Sequence, residues 1–432
     1  MYTIKVYYII LSGIDLAREY TYNAGISLHY NRLKQVPCAP LSFCIRPDLP
    51  GIDDDFKDEL GTFSLTCLSL SDAATVSGRG DKIMRVLVTG HEGYIGTILT
   101  PMLMAEGHDV VGVDTNLFAT CTLGEAAPSI SSILKDIRDL EVSDLHGFDA
   151  VVHLAALSND PLGDLNPAIT YAINHHATVH VAKLAKAAGV VRFVFSSSCS
   201  TYGAAGDDFL DEGAALHPVT AYGHAKVLAE QELAALADDT FSPTFLRNAT
   251  AYGVSPRLRT DLVLNDLVAW AYTTGEVLLK SDGTPWRPLV HIEDISRAVI
   301  AVLHAPRETV HNQVFNIGRQ VENYRVRELA EIVTDVVPGS RLAYAADAGP
   351  DKRCYRVNFG KVTRLLPAFK PQWDARRGAE QLYQAYQQAG LTWEVFNGPR
   401  YKRIGHIQRL LKAGQLESTF RWTQQATASS IK

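Results

Sequence analysis

The sequence predicts an α/β fold: a doubly wound parallel sheet followed by a smaller C-terminal α/β lobe. Three observations predict it. From residue 84 to about 255, short apolar runs alternate with longer runs of helical character, the rhythm of a parallel sheet covered on both faces. The first apolar run, in MRVLVTGHEGYIG at 84–96, leads directly into glycines 90, 93 and 96. Beyond 255 the alternation loosens, as expected where a second, smaller lobe begins.

Bulk properties bound the reading. The chain has 432 residues, 47% hydrophobic and 20% charged, with a net charge of −6. That length is enough for two domains of an ordinary globular composition. With no long basic tail, no nucleic-acid partner is expected. No apolar run approaches the roughly 20 residues that span a bilayer, so no membrane partner is expected either. Six cysteines at 38, 44, 67, 121, 199 and 354 show no metal-like pairing. They read as reduced thiols of a cytoplasmic protein, with no metal site. The opening MYTIKVYYIILSGI has a short apolar run, but no small-residue cleavage motif follows it. Residues 1–83 lack periodicity, and SLSDAATVSGRGDK reads as a linker. The segment is expected to be a poorly structured N-terminal extension, or upstream sequence that belongs to no domain. The fold is expected to begin at Met84.

The elements follow in order. RVLVTG is a strand, YIGTILTPMLMAEG a helix ending at Gly107, and DVVGVD a second strand. DAVVHLAA is another strand, NPAITYAINHHATVHVAKLAKAAGV one long helix, and RFVFSSS a further strand. TAYGHAKVLAEQELAALA is a helix and SPTFLRNATAYG a strand. These place the first domain at 84–255, with returns to it near 288–318. In the lobe at 256–400, GEVLLKSDGTPWRPLVHIEDI reads as strand, turn, strand and helix start; VFNIG and YRVRELAEIVTDVV are a later strand and helix. The remainder, 401–432, reads as a basic tail or helix. Its GPRYKRIGHIQRLLKAG run could reach phosphates, or could simply be a solvated helix face.

The three glycines share one physical explanation. A strand must turn sharply to enter a helix above a phosphate. Gly90 can take the backbone angles of that turn, Gly93 lets main-chain amides approach a pyrophosphate, and Gly96 lets the helix pack on the strand. The helix N-terminus then presents unpaired N–H groups to the anion. Tyr94 and Ile95, between the last two glycines, belong to the same loop. Asp114, closing DVVGVD, is placed to accept both ribose hydroxyls of NAD and to repel the 2′-phosphate of NADP. NAD is therefore the expected cofactor. Asp136 in DIRD is a candidate for the adenine edge with Ile137 beside it, or a solvated loop acid.

In YGHAK, Tyr222 and Lys226 stand four apart on an expected helix, hence on one face. A free phenol has a pKa near ~10 and is a poor base at neutral pH. An adjacent ammonium is expected to lower that value. Upstream, FSSSCSTYG ends a strand with Ser196, Ser197 and Ser198, one of which could share a substrate hydroxyl with the tyrosine. The chemistry that fits is removal of an alcohol proton while its C–H hydride passes to NAD.

Together, TGHEGYIG, VVHLAA, FSSSCSTYG, YGHAK and RPLVHIED resemble the extended short-chain dehydrogenase/reductase family, in particular its nucleotide-sugar epimerase and dehydratase branch. The resemblance covers roughly 84–400 and implies a Rossmann-type first domain. It implies that Tyr222 is the base, Lys226 its partner and Ser198 the hydroxyl residue. It also implies that Leu154, Ala155 and Ala156 line the cofactor, with Asn174 supporting that site. Arg287 would meet a substrate diphosphate, and Cys199 and Asn265 are counted with the substrate-side residues. Helices at 167–188 and 219–237 would pair with a second copy as a homodimer. Departures exist: Thr250 stands where the family often has Asn, Pro288 follows the arginine in place of Asp, and Asn358 replaces a late aspartate.

The resemblance also bears on the reaction. Sugar 4,6-dehydratases of this fold carry an Asp-Glu pair directly after the hydroxyl residue, and decarboxylating relatives keep the Glu. Here those positions are Cys199 and Ser200. The expected reaction is therefore epimerisation of a nucleotide-sugar, most often at C4, through a transient ketone with NAD regenerated each cycle. Alternatives are a dehydrogenase, reductase or dehydratase of the same family, and a non-catalytic dinucleotide sensor. Cys199 could itself act as an acid or base, or simply pack beneath the helix.

Overall fold

The computed structural model describes residues 83–125, 128–349 and 354–424, without side-chain detail at 204–207, 347 and 348. The expectation for the N-terminal segment, like the apolar run that opens it, lies outside the described residues. Seven strands form the main sheet: β1 (Arg85–Thr89), β2 (Asp109–Asp114), β3 (Ser131–Leu134), β4 (Ala150–His153), β5 (Arg192–Ser198), β6 (Ser242–Asn248) and β7 (Gln313–Ile317). Their spatial order is β7-β6-β5-β4-β1-β2-β3. Every pairing in it is parallel. The chain runs outward from β1 through β3, then returns to the other side of β1 at β4. That reversal opens a crevice at the carboxyl ends of β1 and β4, where such sheets bind ligands.

Alternation along the strands explains the two-sided core. Val86 and Val88 of β1, Val152 of β4 and Val194 of β5 pack into one apolar cluster with the Ile292–His304 helix. Leu87, Val151, Phe193, Phe195 and Phe245 pack into another, with helices Thr178–Ala187 and Ala221–Ala235. Successive side chains point to opposite faces, so a strand buried on both sides is either apolar or pairs its polar groups within the protein. β4 and β6 are buried at every position.

A third cluster forms the second lobe. Leu264, Leu267 and Val268 of helix Val263–Thr274 meet Leu329 and Val333 of helix Val326–Val336, and Ala379, Leu382 and Tyr386 of helix Ala375–Gln388. Strand Trp286–His291 pairs with Thr250–Tyr252 and Asn323–Arg325, and Glu276–Ser281 pairs with Arg341–Gly349. Strand Ala204–Leu210, which the sequence did not announce, pairs with Cys354–Val357.

Two expectations need correction. The long helix at 166–190 is not one regular helix: a π-helical turn at Ala172–Ala177 separates Pro167–Tyr171 from Thr178–Ala187. The wider turn re-aims Asn174, as such insertions often do near sites. The basic run is not a wholly solvated face. Helix Arg403–Lys412 sinks Ile407 and Leu410 into the cluster on the main sheet, and Arg403 is 2% exposed. Among the described residues, no helix is long and apolar enough to cross a membrane.

Candidate functional site

A cleft of about 610 Å³ opens at the carboxyl ends of β1, β4 and β5. Its floor is the glycine loop. Gly90 adopts φ 77° and donates its N–H to Val113 O at 2.8 Å, tying the loop to the end of β2. A Cβ there would lie 2.8 Å from Ala155 N. A Cβ on Gly96 would lie 2.4 Å from Gly90 O, so only glycine lets the helix start so close to the turn. Gly93, Tyr94 and Ile95 line the same surface.

Asp114 lines one end of the cleft. Its two oxygens accept N–H groups from Asn116 at 2.9 Å and Glu92 at 3.1 Å. A carboxylate offers about four acceptor positions, so further capacity faces the cleft. Burial lifts this carboxyl above the ordinary carboxylate range. Asp136 and Ile137 lie at the same end. Asp136 holds Arg138, accepting from its Nη2 at 2.6 Å and its Nε at 2.9 Å. It is a paired, half-sheltered acid rather than a solvated one.

On the β4 side, Leu154, Ala155 and Ala156 line the cleft. Asn174 does not line it. Its amide clamps the main chain of Leu157 instead, accepting from N at 2.8 Å and donating to O at 3.0 Å. It supports the wall from behind, as the resemblance implied, but as a direct cofactor contact it is corrected. His153 is buried between Thr89 and Thr178 hydroxyls, and its pKa is held down to about 3, chiefly by burial.

Tyr222, Lys226 and Ser198 come together at the end of β5. The Ser198 side chain lies close enough to the Tyr222 phenol to act on its acidity. Lys226 is 2% exposed and donates to Ser196 O at 2.7 Å, with its ammonium 4.5 Å from the Phe195 ring centre and 5.9 Å from that of Tyr222. One expectation fails here. The phenol is not made more acidic by the lysine: burial, with Asp160, pushes Tyr222 up to about 12. The Lys226 amine is itself pushed down to about 7 by burial. Removal from water outweighs the attraction of the pair.

Strand alternation sorts the serines. Ser196 accepts from Asn248 at 3.0 Å, whereas Ser197 donates to Glu230, which forms a buried ion pair with Arg247 at 2.7 Å. After Ser198 the chain enters a 3₁₀ turn, Cys199–Tyr202. Cys199 therefore does not reach the cleft. It is fully buried, donates Sγ–H to Arg247 O at 3.1 Å, and burial pushes its thiol far up. Its assignment to the substrate is corrected.

Asn265 is corrected too. It is fully buried and bridges Tyr94 OH at 3.0 Å, Arg259 O at 2.8 Å and Gly253 N at 3.1 Å, pinning the glycine loop to the second lobe. Arg287, on strand Trp286–His291, does line the cleft.

Sequence reasoning did not single out two pairs of residues. Arg257 and Arg259, two apart in SPRLRTD, are buried beside the glycine loop and pair with Glu92 and Asp261. Arg403 and Phe420, from the C-terminal segment, also line the cleft. The R-x-R spacing was the signal for the first pair; Arg403 had only its place in the basic run that could reach phosphates, and nothing in the chain pointed to Phe420. Among the described residues there is no cluster that could hold a metal ion.

A doubly wound sheet with a glycine loop at its reversal, facing a Tyr-Lys-Ser group whose lysine is buried, defines a dinucleotide-binding protein with an alcohol-handling site. The chain belongs to the NAD dependent epimerase/dehydratase family, whose sequence model matches residues 86–318, more than half its length. Curated relatives include a UDP-glucose 4-epimerase of Corynebacterium glutamicum, 29% identical over 59% of this chain and 80% of the relative. Another, from Lactobacillus helveticus, is 30% identical over 59% of this chain and 82% of the relative. Among solved structures, MoeE5 in complex with UDP-glucose and NAD is 28% identical with a TM-score of 0.62, covering 71% of this chain and all of that one. This is an NAD-dependent enzyme of that family, and the cleft fits the cofactor. The glycine turn has no room for a Cβ, Asp114 retains acceptor capacity, and buried N–H groups of Arg259 and Arg403 beside the cleft have no partner.

Proposed function

We propose that this chain is a nucleotide-sugar epimerase, inverting C4 through a transient 4-keto sugar, and that it works as a cytoplasmic homodimer. One observation carries the choice of reaction. The Tyr222–Ser198 hydroxyl pair stands beside Lys226 with no carboxylate at the two positions that follow Ser198. Cys199 faces away, and Ser200 offers only a hydroxyl. An alcohol-handling group with no carboxylate at the two positions after Ser198 favours inversion over dehydration.

When bound, NAD would supply acceptance of the C4 hydride and its return to the opposite face of the sugar. The residues supply the rest. The glycine loop from Gly90 to Gly96 seats the diphosphate on the helix N-terminus, and Asp114 accepts from the ribose hydroxyls. Leu154, Ala155, Ala156, Asp136 and Ile137 line the dinucleotide. As its phenolate, a form that the charges of Lys226 and of a bound nicotinamide would favour over the bare phenol, Tyr222 would take the proton from the C4 hydroxyl and give it back after the ketone has turned over, while Ser198 holds that hydroxyl in line. Lys226 fixes the geometry of the β5 end through Ser196 O. Arg287 meets the diphosphate of the sugar nucleotide. Leu228 on helix Ala221–Ala235 is 38% exposed and belongs to the face offered to the second copy.

The test is incubation with UDP-glucose, UDP-glucuronate and UDP-N-acetylglucosamine. The 4-epimer of at least one is expected, with no net growth of the reduced-cofactor band. Tyr222→Phe should lower turnover by about 10² or more while bound NAD is retained. Unchanged turnover in that variant would overturn the assignment.

A further inference from the structure

The segment from Arg403 to Trp422 lies beyond the family match, which ends at 318. It crosses the carboxyl ends of β2 and β3. The His406 ring meets Leu117 O at 2.9 Å, and Trp422 donates its indole N–H to Thr115 O at 2.7 Å. Arg138 donates to Thr419 O at 2.9 Å, and Arg421 pairs with Asp139. Phe420, which lines the cleft, is held at φ 59°, in the left-handed region that favours glycine. A non-glycine residue kept there stores strain that the surrounding contacts must offset, and such strain gathers at ligand sites.

Arg403 makes the stronger case. Its side chain is buried, its ring neighbour is Phe118 at 4.2 Å, and its Nη2 donates to Arg257 O at 2.9 Å. Its Nη1 has no partner, and no carboxylate of the described residues lies within ion-pair distance of it. Arg257 and Arg259 have Glu92 and Asp261 as ion-pair partners; Arg403 has none of its own, and Asp261, which acts on it from farther off and accepts its main-chain N–H, is already paired with Arg259. Cys121, close enough to act on it, is a thiol that burial keeps protonated. Burial holds the guanidinium down to about 10, still charged at neutral pH. Arg259 Nη2 is likewise unpartnered, in a side chain fixed by Ser158 O at 3.0 Å and lying 6.0 Å from the Tyr94 ring centre. A buried cation with no counter-ion is strongly unfavourable unless an anion joins it.

We propose that Arg403, with Arg259, binds a nucleoside diphosphate, namely that of NAD, and that residues 403–422 form a strap holding the cofactor in the cleft with Phe420 against its adenosine end. The cofactor is favoured over the sugar nucleotide by position. Arg403 stands against Phe118, four residues past Asp114, whereas Arg287 belongs to the second lobe. The inference rests on the NAD dependence of the family and not on the sugar chemistry.

The test uses the full chain, stripped of nucleotide, and Arg403→Met, which keeps the side-chain length and removes the charge. NADH binding is read by fluorescence; ADP, adenosine and UDP binding by calorimetry. Arg403→Met should weaken NADH and ADP at least tenfold and leave adenosine and UDP within twofold. The melting temperature of the stripped protein should stay level or rise, and Arg403→Lys should recover part of the ADP affinity. Phe420→Gly should release NADH several times faster while the stripped protein melts no lower. Unchanged ADP affinity overturns the proposal. Weakened UDP with unchanged ADP overturns it by moving the arginine to the substrate. Equal weakening of all four ligands with a lower melting temperature overturns it by making the arginine a structural residue. Failure to find an epimer product would touch none of these readings.

Discussion

Lys226→Met should make the stripped protein more stable while disabling it. The amine is buried in wild type, with Ser196 O as its hydrogen-bond acceptor and the Phe195 ring beneath it. Its pKa falls from 10.5 unfolded to about 7 folded, because burial penalises the ammonium. The folded state therefore binds protons less readily than the unfolded chain. The cost is fully present below pH 7, shrinks as pH rises from 7 towards 10.5, and is gone above 10.5. At about 1.4 kcal/mol per tenfold change in proton affinity, it is on the order of 4 kcal/mol at pH 7 and about 2 kcal/mol less at pH 9. Other groups titrate in that range, so the informative quantity is the difference between wild type and variant. Urea unfolding at pH 7 and pH 9 should show the variant ahead by several kcal/mol at pH 7, with the gap narrowing by about 2 kcal/mol at pH 9. Turnover should fall by orders of magnitude at both. A variant less stable than wild type at pH 7, or a gap that does not narrow, would refute the reasoning.

Three further outcomes are expected. Glu230→Ala leaves Arg247 buried without its partner and should cost about 3–5 kcal/mol in urea unfolding, whereas Glu230→Leu with Arg247→Met should recover most of it. Gly96→Ala puts a Cβ 2.4 Å from a backbone oxygen of the glycine turn; the protein should emerge without bound NAD, measured after acid release, and melt several degrees lower. Asp114→Ser removes the carboxylate that faces the ribose, so the ratio of NADPH to NADH affinity, read by fluorescence titration, should rise at least tenfold.

What the sequence disclosed and what it withheld divide along one line. The sheet was legible because β1, β2, β4 and β5 each carry a short apolar run, whereas β6 (SPTFLRN) is buried throughout and satisfies its polar side chains through partners such as the Arg247–Glu230 pair. The glycine loop and the Tyr222–Lys226 pair were legible because their spacing is local: one turn of chain and one turn of helix. Cys199 was misplaced because it was assigned by its position after Ser198, whereas strand alternation and the 3₁₀ turn that follows both turn the thiol into the core. Asn265 was misplaced because the face its helix presents to the glycine loop is decided by a core assembled from three distant helices. The acidity expected of Tyr222 counted the neighbouring charge and omitted burial, which no spacing reveals. Arg403 is the extreme case. In sequence it is one more cation in a basic run; in the fold its amide bonds Asp261 and its guanidinium bonds the carbonyl of Arg257, both more than a hundred residues earlier. A charge so distant from its neighbours in sequence, and buried with no ion pair of its own because the nearest carboxylate, Asp261, is already held by Arg259, carries information that only the folded chain exposes. The physical demand it makes for an anion points to what the cleft is built to receive.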